Sequence, residues 1–217
     1  SRGLGDVYKR QVYDSLDKLD GKGDVIIDFS APAAVEKALT YCEAHKMPIV
    51  VCTTGLSEEL QLKIIQLSRS IPVFKSANMS MGINVLSELC KRASAILGVN
   101  YDVEIVEQHH HNKLDAPSGT AITLAEGILE NMDRKDKWVK GTLLAPDGTV
   151  SGTDACASNE FPIDSIREGE VFGIHTIRYE SEVDSISITH DAKNRGGFVL
   201  GAILAAEYTA QHEGYLG

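Results

Sequence analysis

From residue 24 to residue 97, short apolar runs alternate with stretches of helical periodicity, and few folds accommodate that alternation. Val25–Phe29, Pro48–Cys52 and Pro72–Phe74 are too short for helices and apolar apart from Asp28, so they read as buried strands. Between them Val35, Ala38, Leu39 and Cys42, and then Leu60, Ile64 and Leu67, fall on single helical faces. A longer helix from Gly82 to Leu97 follows, with Leu86, Leu89, Cys90, Ala93 and Leu97 on one face and Gly98 at its end. Ser30, with Pro32 in the first turn, and Ser57 stand where N-caps belong. Strands alternating with helices of this length need crossover connections, hence a parallel sheet. Ligands of such sheets lie beyond the carboxyl ends of the strands. That places Thr53-Thr54-Gly55 and Ser76-Ala77-Asn78 in a ligand crevice, although both segments serve equally well as plain strand-to-helix turns.

The second half changes character. Asp102–Gln108 is strand-like, and a helix runs from about Gly119 to Met132 with Ala121, Leu124, Ala125, Ile128 and Leu129 in register. Turn signals follow at Asp147-Gly148 and Glu168-Gly169. Val171–Tyr179 and Ser185–His190 read as antiparallel strands, and Phe198–Tyr208 as a last helix. The expected architecture is α/β: a parallel-sheet domain followed by an α+β domain with a mixed sheet, breaking near residue 80.

Composition narrows the partners. A net charge of -10 argues against a general surface for nucleic acid or anionic membrane, so an anionic ligand needs a local cationic pocket. No apolar stretch approaches the length of a membrane-spanning helix. Cys42, Cys52, Cys90 and Cys156 form no C-x-x-C pair and are expected to be buried free thiols in a reducing compartment, the cytoplasm. At the start, Gly3 and Gly5 mimic a dinucleotide fingerprint, but no strand precedes them and Tyr8 occupies the third glycine position. The first eleven residues are therefore expected to be a foreign or misread extension.

The densest chemistry lies in Glu107-Gln108-His109-His110-His111-Asn112-Lys113-Leu114-Asp115-Ala116-Pro117-Ser118-Gly119-Thr120. Imidazoles exchange protons near neutrality, and Lys113 adds positive charge. Ser118-Gly119-Thr120 opens a helix, where free N–H groups and the dipole suit a carboxylate or phosphate. Other readings compete. His109 and His111 would share a strand face and, with Asp115, could bind a metal, but the Lys113 ammonium repels a cation. The histidines could also be a solvated loop without a role, and Pro117-Ser118-Gly119 a simple capped helix start.

His109-His110-x-x-Lys113-x-Asp115-Ala116-Pro117-Ser118-Gly119-Thr120-Ala121 resembles the signature of the dihydrodipicolinate reductase (4-hydroxy-tetrahydrodipicolinate reductase) family. Val25–Ser30, Thr53-Thr54-Gly55, Ser76-Ala77-Asn78-Met79-Ser80 with Gly82-Ile83-Asn84-Val85, Ile166-Arg167-x-Gly169-x-Val171-x-Gly173-x-His175, and Thr189-His190-x-Ala192-x-x-Arg195 resemble family segments in the same order. The likeness runs from about residue 12 to residue 212. Departures are present: Cys52 stands at a family glycine and Met79 at a common aromatic, and the family's opening strand and glycine-rich phosphate loop have no counterpart here.

The resemblance implies NADH- or NADPH-dependent reduction of 4-hydroxy-tetrahydrodipicolinate, or dihydrodipicolinate, to tetrahydrodipicolinate in lysine (diaminopimelate) biosynthesis. It implies a Rossmann-like domain lacking its first βα unit, over residues 1–80 with 196–217, and a substrate-binding and oligomerisation domain over 81–195. Acid roles fall to His109 and Lys113, and substrate contacts to His110, Ser118, Gly119 and Thr120. Cofactor contacts fall to Cys52, Thr53, Thr54, Ser76, Ala77, Asn78, Met79 and Arg195. A homotetramer is implied as well. The partners expected are a cyclic dicarboxylate and the dinucleotide, with no metal, nucleic acid or membrane. Without a phosphate loop the chain is expected to bind NADH weakly or not at all. A non-catalytic dicarboxylate-binding module, an inactive fragment of the reductase and a nucleotide-free acid–base enzyme are the alternatives.

Overall fold

A computed structural model describes residues 13–19, 23–153 and 155–217; the expectations for residues 1–11 lie outside it. The chain divides into two compact units, one of residues 1–77 with 202–217 and one of residues 78–201.

In the first unit, β1 (Ile26–Asp28), α1 (Pro32–His45), β2 (Ile49–Val51), α2 (Glu58–Leu67) and β3 (Val73–Lys75) follow one another. With β10 (Tyr215–Leu216) the strands form a wholly parallel sheet in the order β1-β2-β3-β10. β2 is buried at all three residues, as an inner parallel strand should be. Val35, Ala38, Leu39 and Cys42 of α1 and Ile64 and Leu67 of α2 close over Ile49, Val51 and Val73. Ser57 caps α2 by accepting the Leu60 N–H. Ser30 does not cap α1. Ala31 holds the N-cap position, while the Ser30 hydroxyl donates to Asp28 and its N–H to Thr53 Oγ1. Pro32 at the first helical position supplies the pre-set φ without a side-chain cap.

In the second unit, α3 (Met81–Leu97), β4 (Asp102–His109), α4 (Gly119–Leu129), β5 (Lys137–Leu144), β6 (Val150–Ser151), β7 (Glu160–Arg167), β8 (Ile174–Glu180) and β9 (Ser185–Asp191) build a six-stranded mixed sheet, ordered β6-β5-β7-β4-β8-β9. β4 is parallel to β7 and antiparallel to β8, which is antiparallel to β9. Ile83, Leu86 and Cys90 of α3 and Ala121, Leu124, Ala125 and Ile128 of α4 pack on Val103, Ile105, Phe161, Ile163, Ile177 and Tyr179. Leu89 departs from the expected stripe and is half exposed, and Gly98 ends α3 in the right-handed region rather than the left-handed one. The unit boundary falls inside α5 (Gly196–Thr209). Cys42, Cys52 and Cys90 are buried, free thiols, but Cys156 is exposed. Among the described residues, no helix is long and apolar enough to cross a membrane.

Candidate functional site

The chemistry of the second unit continues its core. Along β4 the inward face reads Val103, Ile105, Glu107, His109; along β7 it reads Phe161, Ile163, Ser165, Arg167; along β8, read backwards, Tyr179, Ile177, His175. Each strand is apolar at one end of the face and polar at the other, and the pairing brings the polar ends side by side. Glu107 stands opposite Ser165 and His175, and His109 opposite Arg167. All of these side chains are buried.

A buried carboxylate is tolerable only when it is paired and hydrogen-bonded. Glu107 meets both conditions. Arg167 grips it with two nitrogens, Nη2 to Oε1 at 2.7 Å and Nη1 to Oε2 at 3.0 Å. The Ser118 N–H donates to Oε1 at 3.2 Å, and His109 Nδ1 lies 2.5 Å from Oε2. Burial pushes the Glu107 carboxyl up, but the bonds from His109, Arg167 and Ser165 and the Arg167 charge outweigh it and hold the carboxyl at about 2. Arg167 Nη2 also donates to the Asp115 carbonyl at 2.7 Å, tying the loop after β4 to the same pair. His175 sits edge-on to His109, with ring centroids 5.2 Å apart. Burial first, then the neighbouring His109, brings its pKa down to about 3, so His175 is neutral. Its Nε2 lies 3.1 Å from Ser118 Oγ, which also accepts the Ala121 N–H and so caps α4. The Nδ1 atoms of His175 and His190 and Nε of Arg167 are buried without a hydrogen-bond partner.

The residues expected from sequence take these places. His109 is buried at the end of β4, while His110 is half-buried and its N–H donates to the Val171 carbonyl. Lys113 Nζ lies 2.9 Å from Asp115 Oδ1, a carboxylate 60% exposed and therefore easily displaced. Ser118 is buried, Gly119 is exposed, and Thr120 Oγ1 accepts from Asn78 Nδ2 at 3.1 Å. Asn78 Oδ1 in turn accepts the Ser80 N–H, and Met79 is buried. Arg195 is exposed next to the start of α5. His109 and His111 do not share a strand face, because β4 ends at His109 and the His111 ring turns to the Gly169 carbonyl at 2.8 Å. Among the described residues, no three His, Cys, Asp or Glu side chains are grouped to hold a metal ion.

In the first unit, Thr53, Thr54, Gly55, Leu56, Gln61, Lys75 and Ala77 line a cavity of about 290 Å³ at the carboxyl ends of β2 and β3. Thr53 is buried there, its hydroxyl donating to Asp28 Oδ2 at 2.6 Å. Burial, with Asp28 nearby, raises the Cys52 thiol to about 12, so Cys52 can contribute only backbone atoms and bulk. The wall is small and polar, at the ends of parallel strands where ligands of such sheets approach, and Gly55 stands in it at φ +71.

Sequence reading alone left Glu107, Arg167 and His175 without roles. The signal for Glu107 was the two-residue alternation from Val103 through Ile105 to His109, which puts it on the buried face. The same alternation along β7 and β8 puts Arg167 and His175 on the buried face, but only strand pairing makes them neighbours of Glu107.

Comparison with known proteins gives the family. Family models described as "Dihydrodipicolinate reductase, N-terminus" and "Dihydrodipicolinate reductase, C-terminus" match residues 3–79 and 82–217. A protein from Clostridium novyi (strain NT) named 4-hydroxy-tetrahydrodipicolinate reductase is 38% identical over 202 residues, covering 93% of this chain and 77% of that one. One of the same name from Caldanaerobacter subterraneus subsp. tengcongensis is 39% identical over 197 residues, covering 91% and 75%. The solved structure of a dipicolinate-bound dihydrodipicolinate reductase from Paenisporosarcina sp. TG-14 superposes with a TM-score of 0.72 at 27% identity, covering 90% of this chain and 72% of that one. With both halves matched in order and the polar strand ends built from the matched segments, this chain belongs to the dihydrodipicolinate reductase family.

Proposed function

We infer that this protein is an oxidoreductase, a 4-hydroxy-tetrahydrodipicolinate reductase acting in lysine (diaminopimelate) biosynthesis. What supports the reading most is that both halves match the family, while His109 ends β4, Lys113 lies in the loop that follows, and Ser118 to Thr120 open α4. NADH or NADPH, bound against Cys52–Thr54 and Ser76–Met79 with Arg195 as a further contact, would supply a hydride to the ring conjugated with the imine. The chain's residues supply the rest. Lys113 exchanges Asp115 for a substrate carboxylate and stabilises charge developing on the ring. The N–H groups of Gly119 and Thr120, at the start of α4, hold a carboxylate. His110 binds the other, and His109 delivers the proton. Residues 1–80 with 196–217 form the dinucleotide-binding domain in this reading, and residues 81–195 the substrate-binding and oligomerisation domain of a cytoplasmic homotetramer.

The deciding experiment follows NADH and NADPH absorbance with the cyclic imine as substrate. Oxidation of either, with tetrahydrodipicolinate formed, is the expected result, and the ratio of the two rates assigns the cofactor. Dipicolinate binding without oxidation of either dinucleotide would replace the enzyme by a dicarboxylate-binding module.

A further inference from the structure

His109 can donate a proton usefully only if the correct ring nitrogen faces outward, and neutral imidazole has two tautomers. The structure decides between them. Glu107 Oε2, 2.5 Å from His109 Nδ1, belongs to a carboxylate gripped on both oxygens by Arg167. A carboxylate in that state only accepts hydrogen bonds. Nδ1 must therefore carry hydrogen in the neutral ring as well as in the charged one, and Nε2 is left as the atom that gains and loses the proton.

A second, independent feature lies at Nε2. Gly173 has φ +148, and a Cβ built on it would stand 3.0 Å from His109 Nε2. The chain thus keeps its bulk away from the nitrogen that the carboxylate leaves free. Gly173 immediately precedes β8, the strand carrying His175, whose Nε2 is engaged with Ser118 Oγ. Of the two rings packed in a T shape, only His109 has its Nδ1 on a carboxylate.

We propose that Glu107, locked by Arg167, is a positioning residue that fixes His109 as the Nδ1–H tautomer and so assigns proton transfer to Nε2. The proposal deepens the reading of His109 as the acid and rests on it for its catalytic meaning, but the tautomer can be observed without turnover.

The test is nitrogen NMR on ¹⁵N-histidine-labelled full chain, with the His109 signals assigned by their loss in His109→Gln. The neutral His109 ring is expected to be protonated at Nδ1. In Glu107→Gln the carboxamide can turn its NH₂ toward Nδ1, so the Nε2–H form should appear. The kcat should fall by about 10-fold or more while KM changes less than about threefold, the pattern of a lost proton-transfer geometry. Glu107→Asp keeps an acceptor-only group and should restore the Nδ1–H form. A neutral His109 protonated at Nε2 in the unmodified protein overturns the proposal, and so does an unchanged tautomer in a folded Glu107→Gln. If Glu107→Gln does not fold, the unmodified protein and Glu107→Asp still decide. If the tautomer is as expected and His109→Gln retains full activity, the acid assignment falls while the role of Glu107 in setting the ring stands.

Discussion

Lys113 is held by a neighbour that can be replaced. Its ammonium pairs with the largely exposed Asp115 carboxylate, so a substrate carboxylate can take that place without stranding a buried charge. Lys113→Ala should lower the turnover rate by about 10²–10⁴-fold, the range for lost acid and electrostatic catalysis. Steady-state kinetics showing less than a threefold change would remove Lys113 from the mechanism. Acid stability tests the buried groups. The His175 pKa falls from 6.5 to about 3 on folding, so the unfolded chain binds a proton that the folded one refuses. Its contribution to stability is complete above about pH 6.5 and is lost as the pH falls toward 3, at about 1.4 kcal/mol per pH unit. Glu107, lowered from 4.5 to about 2, adds loss in the same direction below about pH 4.5. Melting temperatures recorded from pH 7 downward should therefore drop, and less steeply for His175→Asn between pH 6.5 and 4.5. An equal slope in the variant would show that His175 is not excluded from protonation.

At the scale of single elements, α4 carries a sharper test. Gly119 opens the helix, has nothing within 4 Å of where a Cβ would stand, and does not have a left-handed φ. Packing gives no reason for glycine there, and alanine is the better helix former by up to about 1 kcal/mol. Close approach of a substrate carboxylate to the N–H is a reason. Gly119→Ala should keep or raise the melting temperature while raising KM severalfold; an unchanged KM argues that the N–H is not a substrate contact. The elements themselves were largely legible in the sequence, because periods of 2 and 3.6 are local properties. Val35 to Cys42 and Ala121 to Ile128 were buried as their spacing predicts. Ser30 misled because it lies one residue before the N-cap position, which Ala31 holds, and its hydroxyl donates to Asp28 instead of accepting a helix N–H. Leu89 misled because a wide helical stripe does not say where the covering surface ends. Of the site, His109 and Lys113 were legible from their chemistry and from a motif, but the Glu107–Arg167 pair spans sixty positions and exists only through strand pairing.

Across the whole molecule, each compact unit has its own hydrophobic core, one built on β2 and the other on β4, β7 and β8. Separate cores predict separate footprints. Dipicolinate should slow amide hydrogen exchange around residues 105–121, and NADH or NADPH should slow it around residues 49–56. Dipicolinate protection confined to residues 49–56 would reverse the division of labour proposed for the two units. The pairing of His109 with Arg167 across parallel strands has a further meaning for folding. Slipping β7 by one residue against β4 would turn Arg167 to the other face of the sheet and leave Glu107 as a bare charge beneath α4. A misaligned sheet is thus penalised at the same place where it would be inactive. The ion pair therefore favours the one register in which the imidazole of His109 also meets Glu107.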